Sequence, residues 1–324
     1  MPTRSDTRQQ RVVVLRTLAL GDLLVAVPAL HGIRAALPSS RVTLAAPAGL
    51  APLALLTGAV DEVVHVRGLD APLPPALHGA DVAVNLHGSG PQSHRLLLAA
   101  APERLVAYAC PAASADGPPW GGPEHESARW CRLVSAAWDI PLDPDDRALA
   151  VPATSPPVTG ATILHVGAGY GSRRWPADRW ASVARSLVSA GHRVVLTGNE
   201  AERGVALVVA AVAGLPDDTV LAGRTSLDEL AALVAAAALV VSVDTGVAHL
   251  ATAYAVPSVV LFGPAPPARW GPPARPRHVV LWHGDPADPW REGDVHGSAP
   301  DPLLLAVEPG EVLAAAATAL AGRS

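Results

Sequence analysis

At 324 residues, half of them hydrophobic and 16% charged, the chain is too long for one ordinary core and too apolar to be disordered, so two domains are expected. The formal net charge of −5 and the lack of an evident basic face exclude nucleic acid as the main partner. All 24 basic residues are Arg, which excludes a Walker-type phosphate loop because that loop needs Lys.

The leading segment MPTRSDTRQQR has no apolar core of the signal-peptide kind. The longest apolar run, Leu230 to Val243, is broken by Ser242 and too short to span a bilayer. Cys110 and Cys131 show neither metal spacing nor a disulfide framework. A cytoplasmic protein with at most a peripheral membrane contact is expected.

In chain order, short β-branched runs alternate with helical patterns, as parallel α/β layers require. Strands are expected at Val12–Arg16, Val42–Ala46, Val63–Val66 and Val82–Leu86. Helices are expected from about Asp22 to Ala36 and from about Glu124 to Trp138. Residues 151–160 (VPATSPPVTG) read as a linker. A second series follows with strands at Ile163–Val166, Arg193–Thr197, Leu239–Val243 and Ser258–Phe262. Its helices lie near Ala177–Ala190, Glu200–Ala213, Ser226–Ala237 and Val247–Ala255, and Gly310–Ala321 closes the chain. Two Rossmann-like halves joined by a hinge are therefore expected, with ligands outside the carboxyl ends of the strands and a cleft between facing sheets.

The residues just after those strand ends carry the candidate chemistry. Asp22, after Gly21 in Leu20-Gly21-Asp22, reads either as a helix N-cap or as a carboxylate placed to take a proton from an attacking hydroxyl. The segment from Val166 to Pro176 combines Gly167, Gly169 and Gly171 with Arg173 and Arg174. Glycines admit backbone amides to a phosphate, and guanidinium groups supply forked donors for a diphosphate. A solvated surface loop is the alternative. The G-x-G-x-G spacing, and the next strand ending in Thr197-Gly198-Asn199 without a ribose-binding acid at its tip, set a dehydrogenase reading aside. At Ser242 to His249, either Asp244 or Thr245 suits a helix N-cap, while Gly246 and its neighbours could aim amides at a leaving diphosphate. His249 reads as a satisfied core histidine or as part of that anion site. The rigid loop from Leu261 to Pro272 walls a pocket or turns at a sheet edge.

Together, Val12 to Arg16 through Gly21-Asp22 and Pro28-Ala29-Leu30, then Arg173-Arg174-Trp175-Pro176, Asp244-Thr245-Gly246, His249-Leu250, Leu261-Phe262-Gly263-Pro264 and Arg269-Trp270-Gly271-Pro272, resemble glycosyltransferase family 9. The best-known members of that family are the lipopolysaccharide heptosyltransferases. The resemblance spans both halves and rests on the order and spacing of these motifs.

It implies a GT-B fold with two Rossmann-like domains, at 1–155 for the acceptor and 156–308 for the nucleotide sugar, and a last helix (309–324) returning to the first domain. It implies inverting transfer without metal or cofactor, commonly from ADP-heptose. Residue by residue, Asp22 corresponds to the proposed base, Arg173 to a basic position contacting the phosphates and often occupied by Lys, and Asp244 to the acid of the D-T-G donor motif. Glu200 or Glu202 matches a carboxylate near the donor's ribose. Thr245, Gly246, His249, Gly167, Gly169 and Arg174 complete the expected donor site. Cys110–Pro123 matches no family motif and is assigned to an acceptor site particular to this branch.

The expected partners are a nucleotide-sugar donor and a glycan, lipid-linked or small-molecule acceptor, with the protein a monomer. Asp143-Pro144-Asp145-Asp146 has a D-x-D pattern but reads as a proline-rich surface turn, and His278, His283 and His296 lack zinc spacing. Other readings are a non-hydrolysing epimerase of the same fold and a catalytically silent sugar-nucleotide sensor.

Overall fold

The structure, a computed structural model, describes residues 8–323; the first seven residues of the leading segment and the final Ser324 lie outside the described residues. By internal contact the chain divides into two units. The first comprises the residues up to Gly122 together with Glu126–Asp146, and the second comprises Pro123–His125 and the residues from Arg147 onward.

The first unit contains β1 (Arg11–Leu15), α1 (Leu20–Val25), α2 (Val27–Ala36), β2 (Arg41–Ala46), α3 (Ala51–Leu56), β3 (Glu62–His65), β4 (Val82–Asn85), α4 (Gln92–Ala99), β5 (Arg104–Val106) and α5 (Glu126–Trp138). Its described strands form one parallel sheet in the order β3-β2-β1-β4-β5. Val12 pairs with Val42 on one side and with Val82 on the other. Val12, Val14 and Leu15 are fully buried, as expected where helices cover both faces of a parallel sheet. Each such side chain contributes about 1.5–3 kcal/mol relative to exposure.

The second unit contains β6 (Thr162–His165), α6 (Ala177–Ser189), β7 (Val194–Thr197), α7 (Arg203–Ala213), α8 (Leu227–Ala235), β8 (Leu239–Val243), α9 (Gly246–Ala253), β9 (Ser258–Leu261), α10 (Pro267–Trp270), β10 (His278–Leu281), α11 (Pro302–Ala306) and α12 (Pro309–Ala321). Its described strands form a second parallel sheet, β10-β9-β8-β6-β7. The start of α8 is fixed by a reciprocal cap: Ser226 Oγ accepts from the Glu229 amide at 3.2 Å, and Glu229 Oε2 accepts from the Ser226 amide at 2.8 Å.

In each sheet the winding direction changes once near the middle, between β1 and β4 in the first unit and between β6 and β8 in the second. The crevice outside the carboxyl ends of such a strand pair is where open parallel sheets take ligands. The connections leaving β1 and β4, and those leaving β6 and β8, are thus the positions to inspect.

Three expectations are corrected. The last helix belongs to the second unit's core rather than standing apart from it: α12 packs on β8, β9, β10 and α6, and its Val312, Ala315, Ala316 and Ala319 are part of that core. The division falls at 146/147 rather than 155/156, because buried Arg147 donates to the Gly271 carbonyl of the second unit at 3.2 Å before the proline-rich stretch begins. Finally, the first helix starts at Leu20, not Asp22, and is interrupted at Ala26 before α2. The strands β5 and β10 and the helices α3, α4, α10 and α11 were not anticipated.

Candidate active site

In the first unit, the polar residues gather after β1 and β4. Arg16 continues the strand pairing of β1 through its amide to the Ala45 carbonyl at 3.0 Å. Its guanidinium is buried, with Nε donating to the Asp22 carbonyl and Nη1 to the Leu86 carbonyl, and it lies 4.9 Å from the Trp130 ring centroid. A cation over an indole face is a favourable arrangement for a charge removed from water. Burial pushes the Arg16 pKa down, opposed by Asp22 and Glu126. Thr17 donates to the Val66 carbonyl at 2.7 Å and accepts from the Gly68 amide at 2.9 Å, so the ends of β1 and β3 are also tied together.

Asp22 is the third residue of α1, whose N-cap is Ala19. Its Oδ2 accepts from the Ala19 amide at 3.2 Å, and its Oδ1 lies 3.9 Å from Arg16 Nη2. The carboxylate therefore closes the helix start from inside rather than capping it from outside, while its side chain stays 28% exposed and open to a partner. Gly21 has ordinary helical geometry, so the turn does not depend on it.

His87 follows β4. Its amide donates to Asn85 Oδ1 at 3.1 Å, and Asn85 is itself held by Ser93 Oγ at 3.0 Å and His94 Nδ1 at 3.1 Å. Burial first, then Arg16, lowers the His87 pKa to about 4, with Asp22 opposing, so the ring is neutral near pH 7. Sequence reasoning gave Arg16 no role beyond its place in the family motif and missed His87 altogether. The signal available was polar residues directly after apolar strand runs.

In the second unit, the loop after β6 and the β8–α9 junction meet through Arg173. Its Nη1 lies 3.3 Å from Asp244 Oδ2 and 3.4 Å from the Asp244 carbonyl, and the Asp244 side chain is 8% exposed. Thr245 is the N-cap of α9 with extended backbone, but its hydroxyl makes no capping bond and is buried without a partner. Ser242 Oγ and Arg173 Nε are likewise buried and unpartnered. Gly246 occupies the first helical position. His249 is buried one turn on; burial, then Arg147, His125 and Arg173, lower its pKa to about 3, so it sits as a neutral imidazole.

The glycines of the loop differ in purpose. A Cβ at Gly167 would overlap the Glu202 carboxylate, one at Gly171 would overlap the Ser298 carbonyl, and one at Gly169 would meet only open space. Ser172 is pinned by the 292–301 segment: its amide donates to the Gly297 carbonyl at 2.8 Å, its Oγ to the Val295 carbonyl at 3.0 Å, and its carbonyl accepts from the Asp301 amide at 3.1 Å. Arg174 Nε reaches the Ala168 carbonyl at 3.5 Å, closing the loop weakly. Glu202 caps Asn199, its Oε2 accepting from that amide at 2.7 Å, while the Glu200 carboxylate lies against Gly223. The structure thus brings Arg173, Asp244 and Thr245 to one junction, with Glu202 near Gly167. Glu200 is directed to Gly223 instead.

The remaining expectations on polar residues are placed as follows. Asp143 Oδ1 accepts from the Asp145 amide at 2.9 Å, forming a local turn. His278 Nδ1 bonds Ser258 Oγ at 2.8 Å, His283 pairs with Glu311 at 3.2 Å, and His296 stacks edge-on against Tyr170. Among the described residues, no three of His, Cys, Asp and Glu gather as a metal site. Among the described residues neither Cys110 nor Cys131 forms a disulfide, and both are buried. Segment 110–122 packs as an aromatic edge of the first unit, where Trp120 meets Tyr108 and Trp130 with centroids 5.1 and 5.8 Å away. No described helix is long and apolar enough to cross a membrane.

The glycosyltransferase family 9 (heptosyltransferase) model matches residues 122–294, just over half of the chain. Lipopolysaccharide heptosyltransferase 1 of Pseudomonas aeruginosa is 36% identical over 159 residues, covering 47% of this chain and 43% of that protein. Lipopolysaccharide heptosyltransferase 1 of Salmonella typhimurium is 27% identical over 298 residues, covering 81% and 90%. The chain spans less than half the length of several curated relatives it matches. The solved structure of E. coli ADP-heptose LPS heptosyltransferase II superposes with a TM-score of 0.77 at 20% identity, covering 96% and 99% of the two chains, and the shared architecture is the GT-B fold.

Proposed function

The chain belongs to glycosyltransferase family 9, and from that membership we propose that it transfers a heptose from an ADP-linked donor to a hydroxyl of a glycan acceptor, with inversion and without a metal or other cofactor. The observation that carries the reading is the junction at Asp244. Buried hydrogen-bonding capacity on Ser242, Thr245 and Arg173 collects there beside the first turn of α9, at the strand pair where an open sheet takes its ligand. A diphosphate suits that junction, since helix amides and a guanidinium stabilise developing negative charge. Glu202 is favoured over Glu200 for the ribose, because its carboxylate lies against the loop at Gly167.

In this reading Asp22 accepts the acceptor hydroxyl's proton as its oxygen bonds to the anomeric carbon and the bond to the diphosphate breaks, the nucleoside diphosphate leaving with the electron pair. Arg173, Arg174 and the amides at Gly246 hold the departing group. Acceptors of the lipopolysaccharide type are favoured by the names of the relatives. The reaction takes place in the cytoplasm, with any membrane contact peripheral and the protein acting as a monomer.

The test is transfer from ADP-heptose to heptose-deficient lipopolysaccharide, alongside thermal shift with ADP, GDP, UDP and dTDP. ADP is expected to stabilise most. Asp22→Asn keeps an oxygen for the Ala19 amide, so it folds normally, while turnover falls by about 10²–10⁴-fold, the range for loss of a general base. Wild-type turnover in that variant would remove Asp22 as the base. Heptose epimerisation without acceptor would replace transfer with the epimerase reading.

A further inference from the structure

Where β1 and β4 part, Asp22 and His87 stand on the two connections that flank the first unit's crevice. One cation ties both connections: the buried Arg16 guanidinium donates to the carbonyl of Asp22 and to that of Leu86, the residue before His87. The His87 backbone is fixed further by Asn85, which is buried and anchored on α4. The ring is thus held on a rigid support next to the carboxylate proposed as the base.

The two ring nitrogens differ. Nδ1 is sealed from solvent and has no hydrogen-bond partner, whereas Nε2 is not sealed in. An N–H buried at Nδ1 without an acceptor would lose its whole hydration, whereas an N–H at Nε2 keeps access to a partner. The proton therefore belongs on Nε2. A ring held neutral by burial and by Arg16 remains a single-proton donor across the neutral range.

We propose that His87 is an acceptor-binding residue, its Nε2–H donating a hydrogen bond to an oxygen of the acceptor glycan beside the hydroxyl that Asp22 deprotonates. The assignment rests on the transferase reading given above. It explains why a polar ring stands at this position with one nitrogen shut away: the exposed nitrogen does the recognition, and the hidden one fixes which proton it carries. His87 does not compete with Asp22 for the proton, because a nitrogen that already carries its hydrogen has no free lone pair to take another.

Two measurements test it on the full chain. Long-range proton–nitrogen correlation spectra of the ¹⁵N-labelled protein at pH 7, assigned with His87→Gln, are expected to show a neutral Nε2–H tautomer. An Nδ1–H tautomer or an imidazolium overturns the assignment without any substrate being present. In transfer from ADP-heptose to heptose-deficient lipopolysaccharide, His87→Ala is expected to raise the acceptor KM about tenfold to a hundredfold, the effect of leaving a recognised oxygen unmatched. The ADP dissociation constant should stay unchanged. His87→Gln, which keeps a donor near the Nε2 position, is expected to recover most of the loss. An unchanged acceptor KM in His87→Ala, or equal loss in the Ala and Gln variants, overturns the proposal. If the wild type transfers nothing, the transferase reading fails by itself, and the tautomer result still decides the ring's assignment.

Discussion

Arg173 and Arg174 look interchangeable in sequence, but their surroundings separate them. Arg173 faces a nearly buried carboxylate on Asp244, whereas Arg174 makes only one long bond to Ala168. A carboxylate that loses a close cation in a water-poor setting is costly, although the 27% exposure of the Arg173 side chain moderates the effect. Arg173→Ala is therefore expected to cost about 1–3 kcal/mol by chemical denaturation and to weaken ADP binding, while Arg174→Ala weakens ADP binding with stability nearly unchanged. Equal losses of stability in the two variants would refute the distinction. Asp22 was legible as a candidate because short acidic residues after a strand are few. Its actual place inside α1 was not legible, because an N-cap and the third position of a helix differ only in backbone angles that neighbouring residues share. Arg16 was given no role of its own for the opposite reason: a lone Arg ending an apolar strand looks solvated until the fold covers it with Trp130.

At the scale of elements, the loop after β6 owes its shape to contacts far away in sequence. Gly171 lies against the Ser298 backbone, which cannot retreat without breaking the bonds that the 292–301 segment makes to Ser172, whereas Gly167 lies against the end of a flexible Glu202 side chain. Gly171→Ala is expected to displace the segment, lowering the melting temperature by several degrees and ADP affinity by tenfold or more. Gly167→Ala should cost about 1 kcal/mol by disturbing the Glu202 cap. Calorimetry and ADP titration of the two variants check this, and a milder effect at Gly171 than at Gly167 would contradict it. The long helices were readable from apolar spacing, as in α6, where Trp180, Val183, Ala184 and Leu187 are buried on one stripe. The missed strands are edge strands: β5 has only three residues, and β10 is half-buried along its length. Short half-covered strands carry little alternation, and Pro and Arg around β10 resemble a loop.

Over the whole molecule, histidines held below their ordinary pKa are unevenly shared. His165, His249, His125 and His278 belong to the second unit and His87 to the first. Burial is the largest cause in each; the values are about 4 for His165, His125, His278 and His87, and about 3 for His249. An unfolded histidine titrates near 6.5, so between about pH 6.5 and 4 the unfolded state binds more protons. The stabilisation is complete above pH 6.5 and is lost as pH falls through that window. His165 and His249 alone represent about 2 kcal/mol each at pH 5, a fall on the order of 10 °C for a domain of this size. Hydrogen exchange at pH 7.5 and 5 should therefore show protection falling first in β6 to β9. Earlier loss in β1 to β4 would overturn this. What the sequence determined by itself was the alternation of strand and helix, the two halves and the motif residues after strand ends, since these depend on local periodicity and on residue types with narrow uses. The tertiary structure alone decided that Arg16 joins two strand ends, that Ser172 is pinned from the 292–301 segment, and that α12 closes the second unit's core. Those facts depend on which distant surfaces exclude water together, and no local pattern records that pairing.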